Sequence, residues 1–297
     1  MESYLPLVSF CTQTYNSARW IEELLNCAYN QTYPNLELII SDDCSTDNTV
    51  QIIREWIKHN GDRFSRCVLV STAHNLGYAG NKANAEKQCK GDYIKSIDSD
   101  DLIDSTFIEK AVNILEQNKD YDFLYTNSTI INSTGLVQEP PYHLDEDAFH
   151  SLFMLDFWIG TNTWFYRRKV MESTAYRPEM FLSEDYLRLL EIASKYRIYH
   201  LNEYLSYYRR DYEKPKADIF AWWKSQLMAI NYFKNYSEYL DRSKIIKQNL
   251  SYCVYKEGRP IDFLRLALRF KDSSFFKEYI VYYKRKAKAF VKKHMNR

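Results

Sequence analysis

Short apolar runs alternate with amphipathic stretches through the first 126 residues. Leu7 to Thr12, Leu36 to Ser41, Cys67 to Ser71, Tyr93 to Ile97 and Tyr121 to Thr126 have the length and composition of buried strands. Between them, Ser17 to Asn30 carries Trp20, Ile21, Leu24, Leu25 and Ala28 at helical spacing, with Ser17 placed as N-cap. A second helix, capped by Asp47, carries Val50, Ile53, Trp56 and Ile57; a third is expected from about Gly80 to Lys90. Asp104 to Gln117 is the fourth, burying Phe107, Ile108, Ala111, Val112, Ile114 and Leu115. This alternation predicts an α/β fold, a mostly parallel sheet flanked by helices on both faces. Such sheets bind ligands at the carboxyl ends of their strands.

Beyond Asn127 the pattern loosens. Ile130 to Val137 reads as a strand leaving the main sheet, Gly160 to Arg167 as another, Glu184 to Lys195 as a helix and Leu205 to Arg209 as a late edge strand. From about Ala217 the pattern is helical to the end, with a break at Gly258 and Pro260. The expected division is a sheet domain over residues 1–212 and a C-terminal helical region over 213–297.

Composition narrows the class. With 45% hydrophobic and 27% charged residues the chain reads as globular, and a net charge of +1 gives no general attraction for nucleic acid. The six cysteines show no paired spacing and sit in or beside apolar segments, as reduced thiols of a cytoplasmic protein do. MESYLPLVSF lacks the pattern of a signal peptide. No apolar run approaches the roughly 20 residues that span a bilayer. Charge is uneven at one place: residues 277–297 hold eight Lys or Arg and a single acid, Glu278.

Polar clusters follow four successive strands: Thr12 to Asn16, Asp42 to Asp47, His74 to Gly77, and Asp98 to Asp101. The last is the most demanding. Three carboxylates at the end of a buried strand repel one another and resist desolvation. A bound dication would relieve that repulsion, and a hard metal ion suggests phosphate chemistry.

Four segments, VSFCTQTYN, LELIISDDCSTDNT, HNLGYAGNKAN and GDYIKSIDSDD, resemble glycosyltransferase family 2, whose members have the GT-A fold. The resemblance covers roughly Leu7 to Arg210. It implies that Thr14 and Tyr15 line a nucleotide pocket and that Asp43 accepts the imide N–H of a uracil or thymine, with Asp42 as the alternative. Lys82 matches a basic nucleotide-contacting position where Arg is commoner; otherwise it is a solvated helix residue. Ser45 and Asp47 read as turn and N-cap, and His74 as structural. Asp98 and Asp100 form the family's D-x-D motif. Asp100 is then the direct ligand of Mn2+ or Mg2+, and Asp98 holds the ribose or braces the ion from behind. Asp101 either joins the site or favours the dipole of the following helix.

On the acceptor side, Phe181 to Leu187 carries the pair Glu184-Asp185. The resemblance makes Asp185 the catalytic base, with Glu184 as alternative base or orienting group. Arg209 either faces the diphosphate or pairs with a carboxylate of the fold. Asp211 stands where members often carry a His. Trp158, Gly160, Asn162, Thr163 and Trp164 are candidates for an acceptor floor or for core. In the tail, Ile280, Tyr283, Ala287, Phe290 and Val291 fall near one face among Lys284, Arg285, Lys286, Lys288, Lys292 and Lys293. That is the pattern of a basic amphipathic helix at a membrane surface.

The expectation is therefore an inverting, metal-dependent transferase. It takes sugar from a nucleotide diphosphate, UDP by the reading of Asp43, to a saccharide or lipid-linked acceptor in surface glycan assembly, on the inner face of the cell membrane. The alternatives are a nucleotidyltransferase, which would want a Gly-rich loop after the first strand that Thr12 to Asn16 lacks, and a non-catalytic sugar-nucleotide or lipid-binding module.

Overall fold

The computed structural model describes residues 4–144, 147–154, 159–177, 182–210, 218–257, 259 and 261–295. The chain divides into two compact units, Met1–Pro215 and Lys216–Arg297. Trp158, Phe181, Asp211, Ala217, Gly258 and Pro260 lie outside the described residues.

The first unit is organised by β1 (Val8–Thr14) and β2 (Leu36–Asp42), both buried along their whole length. Central parallel strands are covered on both faces, so apolar runs mark them better than alternation does. β3 (Cys67–Ser71) and β4 (Tyr93–Asp98) complete a parallel set in the order β3-β2-β1-β4. Its register sets Gln13 beside Asp98 and Thr14 beside Asp42, so three strands end at one level. On one face, α1 (Ile21–Tyr29), α2 (Thr49–Asn60) and α4 (Phe107–Gln117) pack Leu24, Leu25, Ile53, Trp56, Ile108 and Leu115 onto Phe10, Leu38 and Ile40. α3 (Gly77–Glu86) covers β1 and β2 from the other side, where Asn84 donates to Ser41 Oγ at 2.9 Å.

The second half of the sheet departs from expectation. Phe123 to Asn132 is one continuous strand, β6, and the segment expected as a separate strand from Ile130 is the end of β6 plus a hairpin partner. The chain turns where Asn132 Oδ1 accepts from Thr134 N at 2.8 Å, and Gly135 adopts φ 125°, a left-handed conformation suited to glycine. β7 (Gly135–Gln138) then runs back. β8 (Trp164–Arg167) lies antiparallel between β4 and β6, and β9 (Ile198–Arg209) runs parallel to β6. A short strand not anticipated from the sequence, β5 (Leu102–Ile103), pairs with the end of β9 and delays the next helix to Phe107. Lys95, fully buried in β4, ties the halves together by donating to the carbonyls of Asn162 and Trp164 at 2.5 and 3.1 Å. Burial lowers its pKa to about 7.

The remaining helices of this unit are α5 (Ala148–Met154), α6 (Arg168–Ser173) and α7 (Glu184–Lys195). The second unit comprises α8 (Ile219–Ile230), α9 (Tyr239–Lys256), α10 (Ile261–Phe270) and α11 (Ser274–Met295). Asp218 caps α8 through Phe220 N at 2.9 Å. On α8, Phe220, Leu227 and Ile230 are buried, whereas Trp222 and Trp223 are half-buried and stack edge to face.

Candidate active site

The aligned ends of β1, β2 and β4 open onto a cleft of about 720 Å³. Its rim is built from the loops that follow those strands. Asn16, at φ 49°, is the clasp between two of them: its N–H donates to Ser45 Oγ at 2.9 Å and its side-chain oxygen accepts from Thr46 N at 2.8 Å. Thr14, Tyr15, Asp43, Asp98 and Asp100 all line the cleft, as expected of a single site. Tyr15 is half exposed, with its ring available as a flat face. Thr14 Oγ1 and, from two more lining residues, Gln13 Oε1 and Asn81 Oδ1 are buried polar atoms with no protein partner. Orphaned acceptors and hydroxyls of this kind are uncommon away from ligand sites.

The two neighbouring aspartates after β2 have separate tasks. Asp42 accepts both the N–H and the hydroxyl of Ser45, at 3.0 and 2.5 Å, and so holds its own turn. Asp43 accepts from Leu76 N at 2.7 Å and from Thr72 Oγ1 at 3.2 Å, both through Oδ1. Asp47, expected as the cap of α2, lies one residue before the N-cap Asn48; it accepts from Thr49 N at 3.0 Å, with Ala18 N on its other oxygen. Ser17, expected as the cap of α1, does not serve as one. The helix begins at Ile21, and the Ser17 hydroxyl instead meets Ser99 Oγ at 2.8 Å beneath the aspartate turn. His74 is exposed, and Asn75 shapes the turn by accepting from Gly77 N at 2.9 Å.

Carboxylate oxygens of Asp98, Asp100 and Asp101 lie within 4.8 Å of one another. The protein itself answers part of their repulsion. Lys82 Nζ, wholly buried, sits 3.0 Å from Asp98 Oδ1, and Asp98 also accepts from Gln13 Nε2 at 2.5 Å and Tyr78 Oη at 2.6 Å. Burial alone would raise the Asp98 pKa, but the Lys82 charge and these bonds hold it below its ordinary value. Burial opposes the Lys82 charge too, yet Asp98 outweighs it and raises the Lys82 pKa. Lys82 is therefore neither solvated nor part of the cleft lining. Asp101 does not start a helix, because β5 intervenes. Its carboxylate accepts Arg209 N at 2.9 Å where β9 ends. The Arg209 side chain donates to Asp100 O at 2.9 Å and Glu23 at 2.6 Å and lies 4.4 Å over the Trp20 ring. Arg209 thus pairs with a carboxylate of the fold and braces the aspartate turn.

α7 brings up the acidic pair. Ser183 makes no side-chain capping bond, and its hydroxyl is buried without a partner. Glu184 and Asp185 are likewise buried. A helix N-terminus favours carboxylates, but here desolvation wins. Burial, then the charge of Asp185, raises the Glu184 pKa to about 9, with Lys82 opposing. Burial raises that of Asp185 to about 6, again against Lys82. The helix is pinned to α3 one turn on, where Arg188, fully buried, meets Glu86 at 2.7 Å and lies 4.2 Å over the Tyr176 ring. Tyr78, Lys82 and Glu86 recur at i, i+4 and i+8, a polar stripe on α3 that meets the Glu184, Asp185 and Arg188 side of α7.

The family model described as glycosyl transferase family 2 matches residues 9–214. The chain belongs to glycosyltransferase family 2. A putative teichuronic acid biosynthesis glycosyltransferase of Bacillus subtilis, TuaG, is 27% identical over 210 residues, 70% of this chain and 81% of that protein. The Escherichia coli UDP-Glc:alpha-D-GlcNAc-diphosphoundecaprenol beta-1,3-glucosyltransferase WfaP is 36% identical over 140 residues, 46% of this chain and 53% of that one. The match spans only 44% and 34% of two uncharacterized Haemophilus influenzae glycosyltransferases. Among solved structures, S. aureus TarS 1-349 in complex with UDP-GlcNAc gives a TM-score of 0.59 at 18% identity, covering 95% of this chain and 92% of that one. The mannosyltransferase PcManGT of Pyrobaculum calidifontis, in complex with GDP-Man and Mn2+, gives 0.60 at 17% identity, covering 94% and 87%. The fold is GT-A, of the α/β class expected from the sequence.

Within this glycosyltransferase, Gln13, Trp20, Tyr78 and Asn81 line the cleft without having been singled out in the sequence. Tyr78 had a usable signal in the α3 stripe. Trp164, a candidate for the acceptor floor, is core: its ring is 1% exposed and its N–H donates to Ile159 O at 2.9 Å.

The raised Glu184 pKa has a stability consequence. Unfolded, this carboxyl releases its proton near its ordinary value of 4.5; folded, it keeps it to about 9. Between those values the native state holds more protons, so unfolding free energy falls as pH rises. Glu184→Gln should therefore melt higher than wild type at pH 8.5 by a few degrees, with a smaller gap at pH 5. A gap independent of pH in thermal melts would contradict the assignment.

Proposed function

We propose that this glycosyltransferase moves a sugar, with inversion at the anomeric carbon, from a UDP-sugar to a saccharide or lipid-linked acceptor in surface glycan assembly. The observation that carries the reading is convergence. The orphaned polar atoms of Gln13, Thr14 and Asn81, the Tyr15 face and the D-x-D carboxylates share one cleft. The buried pair on α7 feels the charges of Lys82 and Asp98 behind it. The names of relatives point the same way: WfaP uses UDP-Glc on a diphosphoundecaprenol-linked sugar, and TuaG is assigned to teichuronic acid biosynthesis.

In this reading Tyr15 stacks on the uracil and Asp43 Oδ2 accepts its imide N–H, Oδ1 being engaged by Leu76 and Thr72. The acidic cluster is an all-oxygen donor set suited to Mn2+ or Mg2+. The D-x-D resemblance makes Asp100, which lines the cleft, the direct ligand. Asp98 braces it or reaches the ribose. Bound there, the ion would supply positive charge to the departing diphosphate. Asp185 takes the acceptor hydroxyl's proton as that oxygen attacks from the face opposite UDP. Glu184, protonated at neutral pH, orients the acceptor as a hydrogen-bond donor.

The test is a panel of UDP-, GDP- and dTDP-sugars, read as donor hydrolysis and as transfer to lipid-linked and free saccharides. Turnover is expected with a UDP-sugar, lost in chelator and restored by Mn2+ or Mg2+. Asp100→Ala should lower kcat on the order of 1,000-fold, since metal charge stabilisation amounts to several kcal/mol. Chelator-resistant turnover would overturn the metal assignment, and exclusive use of GDP-sugars would overturn the role of Asp43.

A further inference from the structure

α11 carries two faces with different neighbours. Phe275 and Tyr282 are buried within the helical unit, Tyr282 against Phe263 at 5.7 Å. About a quarter-turn round the same helix, Phe276, Ile280, Tyr283 and Ala287 follow one another at spacings of four, three and four residues and are exposed. At 3.6 residues per turn those positions form one stripe. Phe276, Ile280 and Tyr283 are 43%, 52% and 44% exposed, so the stripe is not a fringe of the core. Lys277, Lys284 and Lys288, all exposed, run along its other edge at spacings of seven and four. Going round the helix, the order is therefore packed face, exposed apolar stripe, lysine row.

We propose that this face of α11 lies on an anionic lipid surface, with the apolar stripe at the acyl boundary and the lysines at the phosphates. Charge complementarity selects this occupant. The lysine row has no described acidic side chain paired to it, and the last 21 residues carry eight basic residues against one acid. A second copy of the same face would bring lysine rows together. The helix does not cross the bilayer, because no helix among the described residues is long and apolar enough to span one. A surface helix with a large apolar stripe flanked by lysines binds by both area and charge. The inference stands on the helical unit alone, independently of the donor-site reading.

Vesicle flotation of the full chain tests it, with phosphatidylcholine alone and with phosphatidylglycerol added. Wild type should float with the anionic vesicles, fail to float with neutral ones and be released by ~0.5 M salt, where screening shortens to a few Å. Reversing Lys277, Lys284 and Lys288 to Glu should weaken binding by at least about 100-fold, from about fivefold per lost basic residue. Ile280→Asp should abolish it, while UDP-sugar hydrolysis in solution and circular dichroism stay at wild-type level. Equal binding to neutral and anionic vesicles, or wild-type binding by the Glu variant, would overturn the proposal. So would a dimer in light scattering that Ile280→Asp dissolves, with no vesicle binding, since that outcome makes a second copy the occupant.

Discussion

Asp185→Asn should reduce kcat by about 100- to 10,000-fold, the range a positioned general base contributes. The substitution keeps the side chain's size and an oxygen for the Tyr186 N–H, to which Asp185 Oδ1 is bonded at 3.0 Å. α7 should stay anchored, because its grip on α3 comes from Arg188 and Glu86. UDP affinity by calorimetry should therefore be unchanged, which separates loss of the base from loss of the pocket. The pH profile adds a second measurement. A base works as its carboxylate, so activity should fall as pH drops through about 6, the value to which burial raises Asp185. Glu184 lies against it and is pushed to about 9, so the acid limb belongs to the pair. Two adjacent carboxyls with separated pKa values can divide the work, one accepting a proton and one keeping its own. An Asp185→Asn enzyme within a few-fold of wild type would remove this residue from the mechanism.

The legible part of this molecule was the part fixed by local pattern. β1 to β4 and their helices show as runs and stripes because burying them takes apolar residues at set spacings, and strand ends then follow by counting. Thr14, Tyr15, Asp43, Asp98 and Asp100 could be brought to one cleft on that basis alone. What escaped depended on distant partners. β5 has two residues, and only pairing with Tyr207 and Ser206 makes it a strand. The β6 hairpin hid because an Asx turn through Asn132 continued an apolar run. Lys82 had two readings, a nucleotide contact by resemblance or a solvated helix residue; it is buried because Asp98 stands opposite. Asp101 looked like the start of a helix because the intervening strand was not visible. In each case a long-range contact overrode a sound local inference.

Lys82→Met should have the second large effect, on stability and on the pH profile together. Removing one member of a buried pair leaves the other charge uncompensated, at a cost of about 3–5 kcal/mol. The lower end applies, because Asp98 retains Gln13 and Tyr78 and is 19% exposed, so it can recruit water or a proton. Adding Asp98→Asn should recover much of that loss, making the double variant more stable than additivity predicts. Loss of fold alone would leave the surviving enzyme's pH dependence where it was. Here it should move, because Lys82 lowers the pKa of Asp98, Glu184 and Asp185 alike. Without that charge all three rise, and the acid limb of kcat should shift above pH 6 towards neutrality. Asp98 then protonates more readily and gives up part of its hold on the donor side, so the KM for the UDP-sugar should rise as well. A Lys82→Met enzyme that is destabilised but keeps the wild-type acid limb would reduce Lys82 to a structural ion pair. A shifted limb makes it the charge through which the donor carboxylates and the acceptor base sense each other.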